Sequence, residues 1–221
     1  MSWIFYVFLP MIVYLAVSEG IAVLAGGILD SAACTALSAA LTLPVGVWML
    51  RQDEARHRHG QPFHAKVREE KKIQKRILGA FLCIVGGGVL NIFWSGFLNM
   101  LRISSFFSNE TQEELLASQF TALLIGPCLL VPVTEEIIYR GLTYSRMRTR
   151  MDTRLSIFLS ALLFALCHGN PIQMIYAFPM AVVLALLYER SGSLVYLILF
   201  HMGANLTTVL LVGGLPRALW I

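Results

Sequence analysis

Long uninterrupted runs of apolar residues are the feature that most constrains how this chain can fold. Seven such runs follow one another, and none shows the alternation of apolar and polar residues that is typical of a membrane β-barrel strand. A helix needs about 20 apolar residues to cross a bilayer. Inside the bilayer, backbone polar groups must be satisfied within the protein, which leaves helices as the spanning elements. The sequence therefore predicts an all-α, polytopic membrane helix bundle with about seven transmembrane helices and room for an eighth.

The predicted spans are residues 3–29, 31–50, 77–101, 119–136, 155–168, 172–188 and 194–212. The chain has no Lys or Arg before Arg51, so the first run lacks the basic region of a signal peptide and is predicted to be an uncleaved span. We see no internal repeat and no separate soluble domain, and we interpret residues 1–221 as a single transmembrane domain.

The distribution of charge indicates an orientation in the membrane. Charged residues make up 14% of the chain, against about 25% in soluble domains, and the mean hydropathy is +0.70. Nine of the 17 basic residues lie in the segment 51–76, and most of the others follow the fourth span. Basic loops tend to stay in the cytoplasm, so both are predicted to face it, with the acidic 102–118 loop outside. The net charge of +4 is explained in this way and does not indicate nucleic-acid binding.

Ionisable residues inside apolar spans are costly and are candidates for a functional site. Glu19 stands alone in the first span, and we assign it no catalytic role. Glu136 and Arg140 are four residues apart, so they share a helix face and can form an ion pair. Glu135 points about 100° away from Glu136 and lacks a partner in its own helix. It therefore needs a proton, a metal or a cation from elsewhere.

Two histidines in later spans have companions on the same helix face. Phe164 precedes His168 by four residues, and Asn205 follows His201 by four, with the small residue Gly203 between them. Small residues of this kind let membrane helices approach closely. Counting the helical rise from the predicted basic loops places both histidines and Glu135 in the cytoplasmic half of the membrane or near its midplane, where they could meet. A single histidine is more often a hydrogen-bonded core residue, but two of them together with a Glu-Glu pair favour a site.

These motifs resemble those of the CPBP (ABI) family, which comprises CAAX-type prenyl-protein endopeptidases and bacteriocin-processing or immunity proteins. E-E-x-x-x-R, F-x-x-x-H and H-x-x-x-N occur in the family's order on consecutive apolar segments, and the resemblance covers about residues 118–212. It implies a catalytic helix core over 118–212, preceded by N-terminal helices and a basic cytoplasmic loop over 1–117. It also implies intramembrane peptide-bond hydrolysis in a cavity open to the cytoplasm.

The resemblance implies catalytic roles for Glu135, Glu136, His168, His201 and Asn205, supported by Arg140 and Phe164. In this interpretation Glu135 activates a water molecule and His168 helps to orient it. His201 and Asn205 donate hydrogen bonds to the oxyanion. Because His168, His201 and Glu135 could also hold zinc with one open position, the cofactor stays open, and we prefer the metal-free glutamate mechanism.

The expected partners are membrane lipid and a membrane-associated peptide or protein, in the plasma membrane of a prokaryote. Two alternatives stay open at this point. One is a non-catalytic immunity factor or scaffold with the same fold, and the other is a small transporter that relays protons through its buried acidic residues and histidines. The sequence does not identify the substrate or the oligomeric state.

Overall fold

The computed structural model describes residues 2–57, 73–103, 106–107 and 110–214, which contain helices and connecting turns. The helices are α1 (Trp3–Ala25), α2 (Ser31–His57), α3 (Ile73–Met100), α4 (Glu110–Leu116), α5 (Phe120–Arg148), α6 (Thr153–Leu166), α7 (Pro171–Ser191) and α8 (Leu194–Gly214). Six of the described helices are long and apolar enough to cross a membrane, and α6 is a shorter apolar helix of 14 residues. The predicted multi-pass bundle of about seven membrane helices is therefore confirmed.

The helices flanking the basic segment are longer than their apolar runs. Helix α2 continues through His57, beyond the predicted end at residue 50, and α3 begins at Ile73. Asp53, in the extension of α2, is buried and accepts a hydrogen bond from Arg146 Nε at 2.7 Å. Because Asp53 has this ion-pair partner, its charge can be buried within the bundle. Helix α2 can therefore continue past the end of its apolar stretch. The middle of the predicted basic loop, residues 58–72, lies outside the described residues.

Helix α5 is the central element of the bundle. Residues 134–147 are all buried, so α5 is packed by its neighbours on every side over this stretch. Two segments of α5, Gly126–Leu130 and Glu136–Tyr144, have the wider π-helical turns, in which a backbone N–H bonds to the carbonyl five residues earlier. Such turns occur frequently at functional sites, and the second one begins at the Glu135-Glu136 pair.

Glycines allow α3 and α8 to pack in direct backbone contact. A Cβ atom at Gly87 would collide with the carbonyl oxygen of Phe200, and one at Gly203 would collide with that of Ile84. Small residues at an interface allow this approach between membrane helices. The expectation that Gly203 permits close packing is confirmed, and α8, which carries His201 and Asn205, lies directly against α3.

The helices run from one end of the molecule to the other, and contacts between loops define the two ends. At one end Trp3 Nε1 donates to Thr149 Oγ1 at 3.4 Å. At the other, Asp30 Oδ2 accepts from the backbone N–H of Gln119 at 3.2 Å. We call the first the basic end, because it carries Arg51, Arg56, Lys75, Arg76, Arg146, Arg148, Arg150, Arg154 and Arg190. We call the second the acidic end, because it carries Asp30, Glu110, Glu113 and Glu114.

Candidate active site

A cavity of about 290 Å³ lies between α5, α8 and the helices around them. Its lining includes four of the five predicted catalytic residues, namely Glu135, His168, His201 and Asn205. These residues come from α5, from the turn after α6 and from α8. The structure thus brings together the side chains that the three sequence motifs singled out. The fifth residue, Glu136, is fully buried behind the cavity wall.

Glu135 finds its partners on other helices. Its Oε1 accepts a hydrogen bond from the hydroxyl of Tyr14 on α1 at 3.3 Å. Its Oε2 lies 3.9 Å from Nε2 of His201 on α8. Its residue exposure is 8%, so this carboxyl group lies at the wall of a small cavity and away from bulk solvent. A carboxylate in such a place can exchange a proton with a molecule bound in the cavity.

Glu136 links the α5 arginine to the α8 histidine. Its Oε1 accepts from Arg140 Nη1 at 3.0 Å and lies 2.9 Å from His201 Nδ1. The predicted ion pair between Glu136 and Arg140 is present, and both side chains are fully buried. An ionised carboxylate only accepts hydrogen bonds, so Nδ1 of His201 carries the proton of this contact. The other ring nitrogen, Nε2, is then the one directed toward Glu135.

Phe164 packs at the centre of the charged cluster. The guanidinium carbon of Arg140 lies 4.5 Å from the centre of the Phe164 ring, which is a favourable cation–π arrangement. Arg140 also donates from Nη2 to the carbonyl oxygen of Ala181 at 3.1 Å. The Phe164 ring centre is 5.0 Å from that of His168 and 6.0 Å from that of His201. Phe164 therefore holds both histidines and Arg140 in place.

His168 lies in a turn and not, as predicted, within a helix. Helix α6 ends at Leu166, and Gly169 takes a left-handed conformation with φ of 68° that favours glycine. Asn170 then caps α7 by accepting from the backbone N–H of Ile172. Nδ1 of His168 lies 2.9 Å from the carbonyl oxygen of Phe164, which can only accept, so Nδ1 carries the proton. Nε2 is thereby left as an acceptor.

Asn205 connects the cavity wall to the first π-helical segment of α5. Its Nδ2 donates to the carbonyl oxygen of Pro127 at 2.8 Å. This contact fixes the amide plane on the wall of the cavity. A side-chain amide group has two N–H donors, so one donor remains for a bound group.

The three residues that were considered as zinc ligands do not form a ligand set. Within the described ranges, no group of three His, Cys, Asp or Glu side chains is arranged to hold a metal ion. His201 uses Nδ1 on Glu136, and its Nε2 lies 3.9 Å from Glu135 Oε2, a separation at which these two atoms form only a loose pair. The arrangement of His168, His201 and Glu135 therefore does not fit a zinc site.

Tyr14 is a cavity residue that the sequence motifs do not indicate. It lies in α1, far from the motif segment, and an aromatic residue in an apolar span has no distinguishing pattern. A second unanticipated contact lies at the rim, where Gln173 Nε2 on α7 donates to Gln112 Oε1 on α4 at 2.6 Å. Glu19, by contrast, is exposed and is not among the residues that line the cavity.

The cavity extends toward the acidic end of the molecule. Beyond Glu135 its lining continues to Ser31 at the start of α2, to Thr111 and Gln112 on α4, and to Gln173 at the start of α7. None of its lining residues belongs to the basic end. The described lining of the cavity thus extends away from the basic end, and the expectation that the site opens to the cytoplasm stays a prediction.

The chain was compared with known proteins. Residues 117–207 match the family model described as "Type II CAAX prenyl endopeptidase Rce1-like". No curated protein and no solved structure matches the chain. The matched segment includes all three motifs and every predicted catalytic residue, and it ends just after Asn205. This confirms the resemblance to the CAAX-type intramembrane proteases. Residues 117–207 are thus similar to the Rce1-like family of type II CAAX prenyl endopeptidases.

Proposed function

We propose that this protein is an intramembrane endopeptidase that hydrolyses a peptide bond with a water molecule activated by Glu135. The observation that carries the proposal is the position of Glu135, His168, His201 and Asn205 on the wall of one cavity within a helix bundle. Uncatalysed amide hydrolysis lacks a general base, a group that orients the water, and hydrogen-bond donors to the oxyanion.

Proton transfer in the proposed reaction begins and ends at Glu135. Its carboxylate takes one proton from the water as the water oxygen bonds to the carbonyl carbon of the scissile peptide. The carbonyl oxygen becomes an oxyanion. When the C–N bond breaks, Glu135 returns the proton to the leaving nitrogen, so the products are a carboxylic acid and an amine. Such general acid–base catalysis typically contributes about 10²- to 10⁴-fold to the rate.

The geometry of each histidine supports a different role. His168 has its proton on Nδ1 because of the Phe164 carbonyl, so its Nε2 can accept a hydrogen bond from the water and orient it. His201 has its Nδ1 donating to Glu136, so its Nε2, when it carries a proton, donates to the oxyanion. Asn205 supplies the second oxyanion donor from the N–H that Pro127 does not use. A single oxyanion donor is typically worth about 10²- to 10³-fold in kcat.

Glu136 and Arg140 are positioning residues in this proposal. Glu136 does not line the cavity, and its contacts with Arg140 and with His201 connect α5 to α8. Arg140 is bound in turn by Ala181 on α7 and by the ring of Phe164. The cluster thus fixes the relative placement of the base and of one oxyanion donor, which lie on different helices.

We further propose that the protein resides in the plasma membrane of a prokaryote with its basic end in the cytoplasm. The basic residues at that end flank short loops, where the cytoplasmic preference of Lys and Arg is strongest. The substrate would be a membrane-associated peptide or protein, of the CAAX type or a bacteriocin or pheromone precursor. The substrate would reach the protein from within the bilayer or from the membrane surface.

Cleavage of a membrane-peptide library by purified protein tests the proposal. Glu135→Gln preserves the size of the side chain but removes the base, so we expect cleavage to fall about 10²- to 10⁴-fold. Glu110→Gln, on the exposed surface of α4, is the matched control and should cleave as the parent does. Equal cleavage by the parent and by Glu135→Gln would contradict the role of Glu135. An assay with a chelator separates the metal-free mechanism, which retains cleavage, from a metal-dependent one.

A non-catalytic scaffold or immunity factor predicts a different pattern. In that case neither the parent nor the variants would cleave any peptide, whereas binding of a partner would tolerate Glu135→Gln. A parent protein that folds and binds peptide but never cleaves it, across the library, would favour this alternative.

A further inference from the structure

Prolines inside the membrane helices leave backbone carbonyl groups without their usual helical donors. In an α-helix a carbonyl accepts the N–H of the residue four positions later, and proline has no N–H. Pro10 in α1 therefore provides no donor to the carbonyl of Tyr6, and Pro179 in α7 provides none to that of Ile175. Inside a bilayer such a carbonyl needs a donor from elsewhere in the protein, because water is not at hand.

In both cases the donor is a side chain of another helix. Arg146 on α5 donates from Nη1 to the carbonyl oxygen of Tyr6 at 2.6 Å. Trp94 on α3 donates from Nε1 to the carbonyl oxygen of Ile175 at 3.4 Å. A proline in one helix thus creates a hydrogen-bond acceptor for a side chain of a neighbouring helix.

Pro132 creates a third acceptor of this kind, and it does so at the candidate active site. In the first π-helical segment of α5, the backbone N–H of Val131 bonds to the carbonyl of Gly126, five residues earlier. In the same register the donor to the carbonyl of Pro127 would be the next residue, Pro132, which has no N–H. The Pro127 carbonyl oxygen instead accepts from Nδ2 of Asn205 at 2.8 Å.

The contact between Pro127 and Asn205 fixes a side chain of the cavity wall. Both residues line the cavity, and Pro127 and Pro132 are buried. With one N–H of the Asn205 amide bound to Pro127, rotation of the amide group is restricted. The second N–H then keeps a constant direction relative to the cavity.

From these observations we propose that Pro132 is a positioning residue, whose missing N–H reserves the Pro127 carbonyl for Asn205. The proposal rests on the proposed function for the role of Asn205 as an oxyanion donor. Such a donor is effective when it is already directed at the place where the negative charge develops. An N–H at position 132 would occupy the Pro127 carbonyl, and the Asn205 amide would lose the contact that fixes it.

A double-mutant cycle in thermal unfolding tests this contact without any cleavage. Pro132→Ala restores the N–H, and Pro132→Val restores it while filling more of the space of the proline ring. Each is combined with Asn205→Ala in purified protein. In the parent, Asn205→Ala leaves the Pro127 carbonyl without a donor, whereas the new N–H at position 132 would satisfy it. We expect Asn205→Ala to lower Tm by at least about 2 °C more in the parent than in either variant.

Pro44→Ala is the control for the loss of a proline from a helix. Pro44 lies inside α2 and its side chain is exposed. In this background Asn205→Ala should lower Tm by as much as it does in the parent. An equal loss of Tm in the parent and in both position-132 variants would overturn the proposal.

Steady-state cleavage by the same proteins tests the consequence for the reaction. We expect Pro132→Ala and Pro132→Val to lower kcat about tenfold at unchanged KM, because the oxyanion donor acts in the transition state. In the Asn205→Ala background neither substitution should lower kcat further, and a full further loss there would overturn the proposal. A parent that cleaves no peptide would refute the proposed function, while the unfolding cycle would still decide whether Pro132 fixes Asn205.

Discussion

His201 on α8 and Glu136 on α5 are joined by a contact of 2.9 Å between Nδ1 and Oε1, although 65 residues separate them in the sequence. The same carboxylate oxygen binds Arg140. This oxygen therefore connects the ion pair of one helix to the histidine of another. The contact places His201 beside Glu135 and gives Glu136 a role that is distinct from that of its neighbour.

Glu136→Gln should destabilise the protein, whereas Glu135→Gln should not. Removing the charge of Glu136 leaves the buried guanidinium of Arg140 without its counter-ion, and breaking a buried ion pair typically costs about 3–5 kcal/mol. Thermal unfolding of the purified variants in detergent measures the difference. Glu135→Gln is the matched control, since the two positions are adjacent and the substitution is the same. Equal unfolding temperatures for the two variants would contradict a structural role for Glu136.

Tyr14→Phe should lower the cleavage rate without affecting folding. The Tyr14 hydroxyl donates to Oε1 of Glu135 at 3.3 Å, and hydrogen bonds to charged groups are worth about 1.5–3 kcal/mol. Because this bond is long, we expect a loss near the lower limit, about tenfold in kcat/KM. Tyr6→Phe removes a shorter hydrogen bond, to Asp53, outside the cavity. It should leave the cleavage rate per folded molecule unchanged, and an equal loss in both variants would refute the prediction.

Asn205→Asp should abolish most of the cleavage. The aspartate keeps the shape of the side chain but offers no N–H to the oxyanion and places a negative charge beside it. We expect kcat to fall by at least about 10²-fold, the usual cost of losing one oxyanion donor. Thr208→Val, also on the cavity wall of α8, is the control, because its hydroxyl bonds to Asn91. Steady-state kinetics should show normal kcat for Thr208→Val, and a normal kcat for Asn205→Asp would exclude the proposed donor.

Gly87→Leu should disrupt the packing of α3 against α8. Any side chain at this position collides with the backbone carbonyl of Phe200, and the backbone cannot move aside as a flexible side chain could. We expect loss of the folded monodisperse species in size-exclusion chromatography. Gly96→Leu, in the same helix, is the control, because a Cβ there meets nothing within 4 Å. A folded, fully active Gly87→Leu variant would show that the two helices do not depend on this contact.

Much of the fold and the site follows from local sequence patterns. The apolar runs predict the spans because the bilayer imposes a minimum length on each helix. The spacing of Glu136 and Arg140 predicts their ion pair because residues four apart share a helix face, and the wider turns of this segment preserve it. Gly203 predicts a close contact between helices because a residue without a side chain lets two backbones approach each other. The identity of the residue is visible in the sequence itself.

The tertiary structure alone decided how these elements meet. Tyr14 reaches Glu135 because α1 packs beside α5, and His168 lies in the cavity because α6 ends early, at Leu166. The cavity lining extends from Glu135 toward the acidic end because buried residues fill the space on the other side of Glu135. Sequence determined which side chains are confined to the membrane, through hydrophobicity and helical periodicity. Their distances and the direction in which the cavity extends depend on packing between distant segments, which no local pattern encodes.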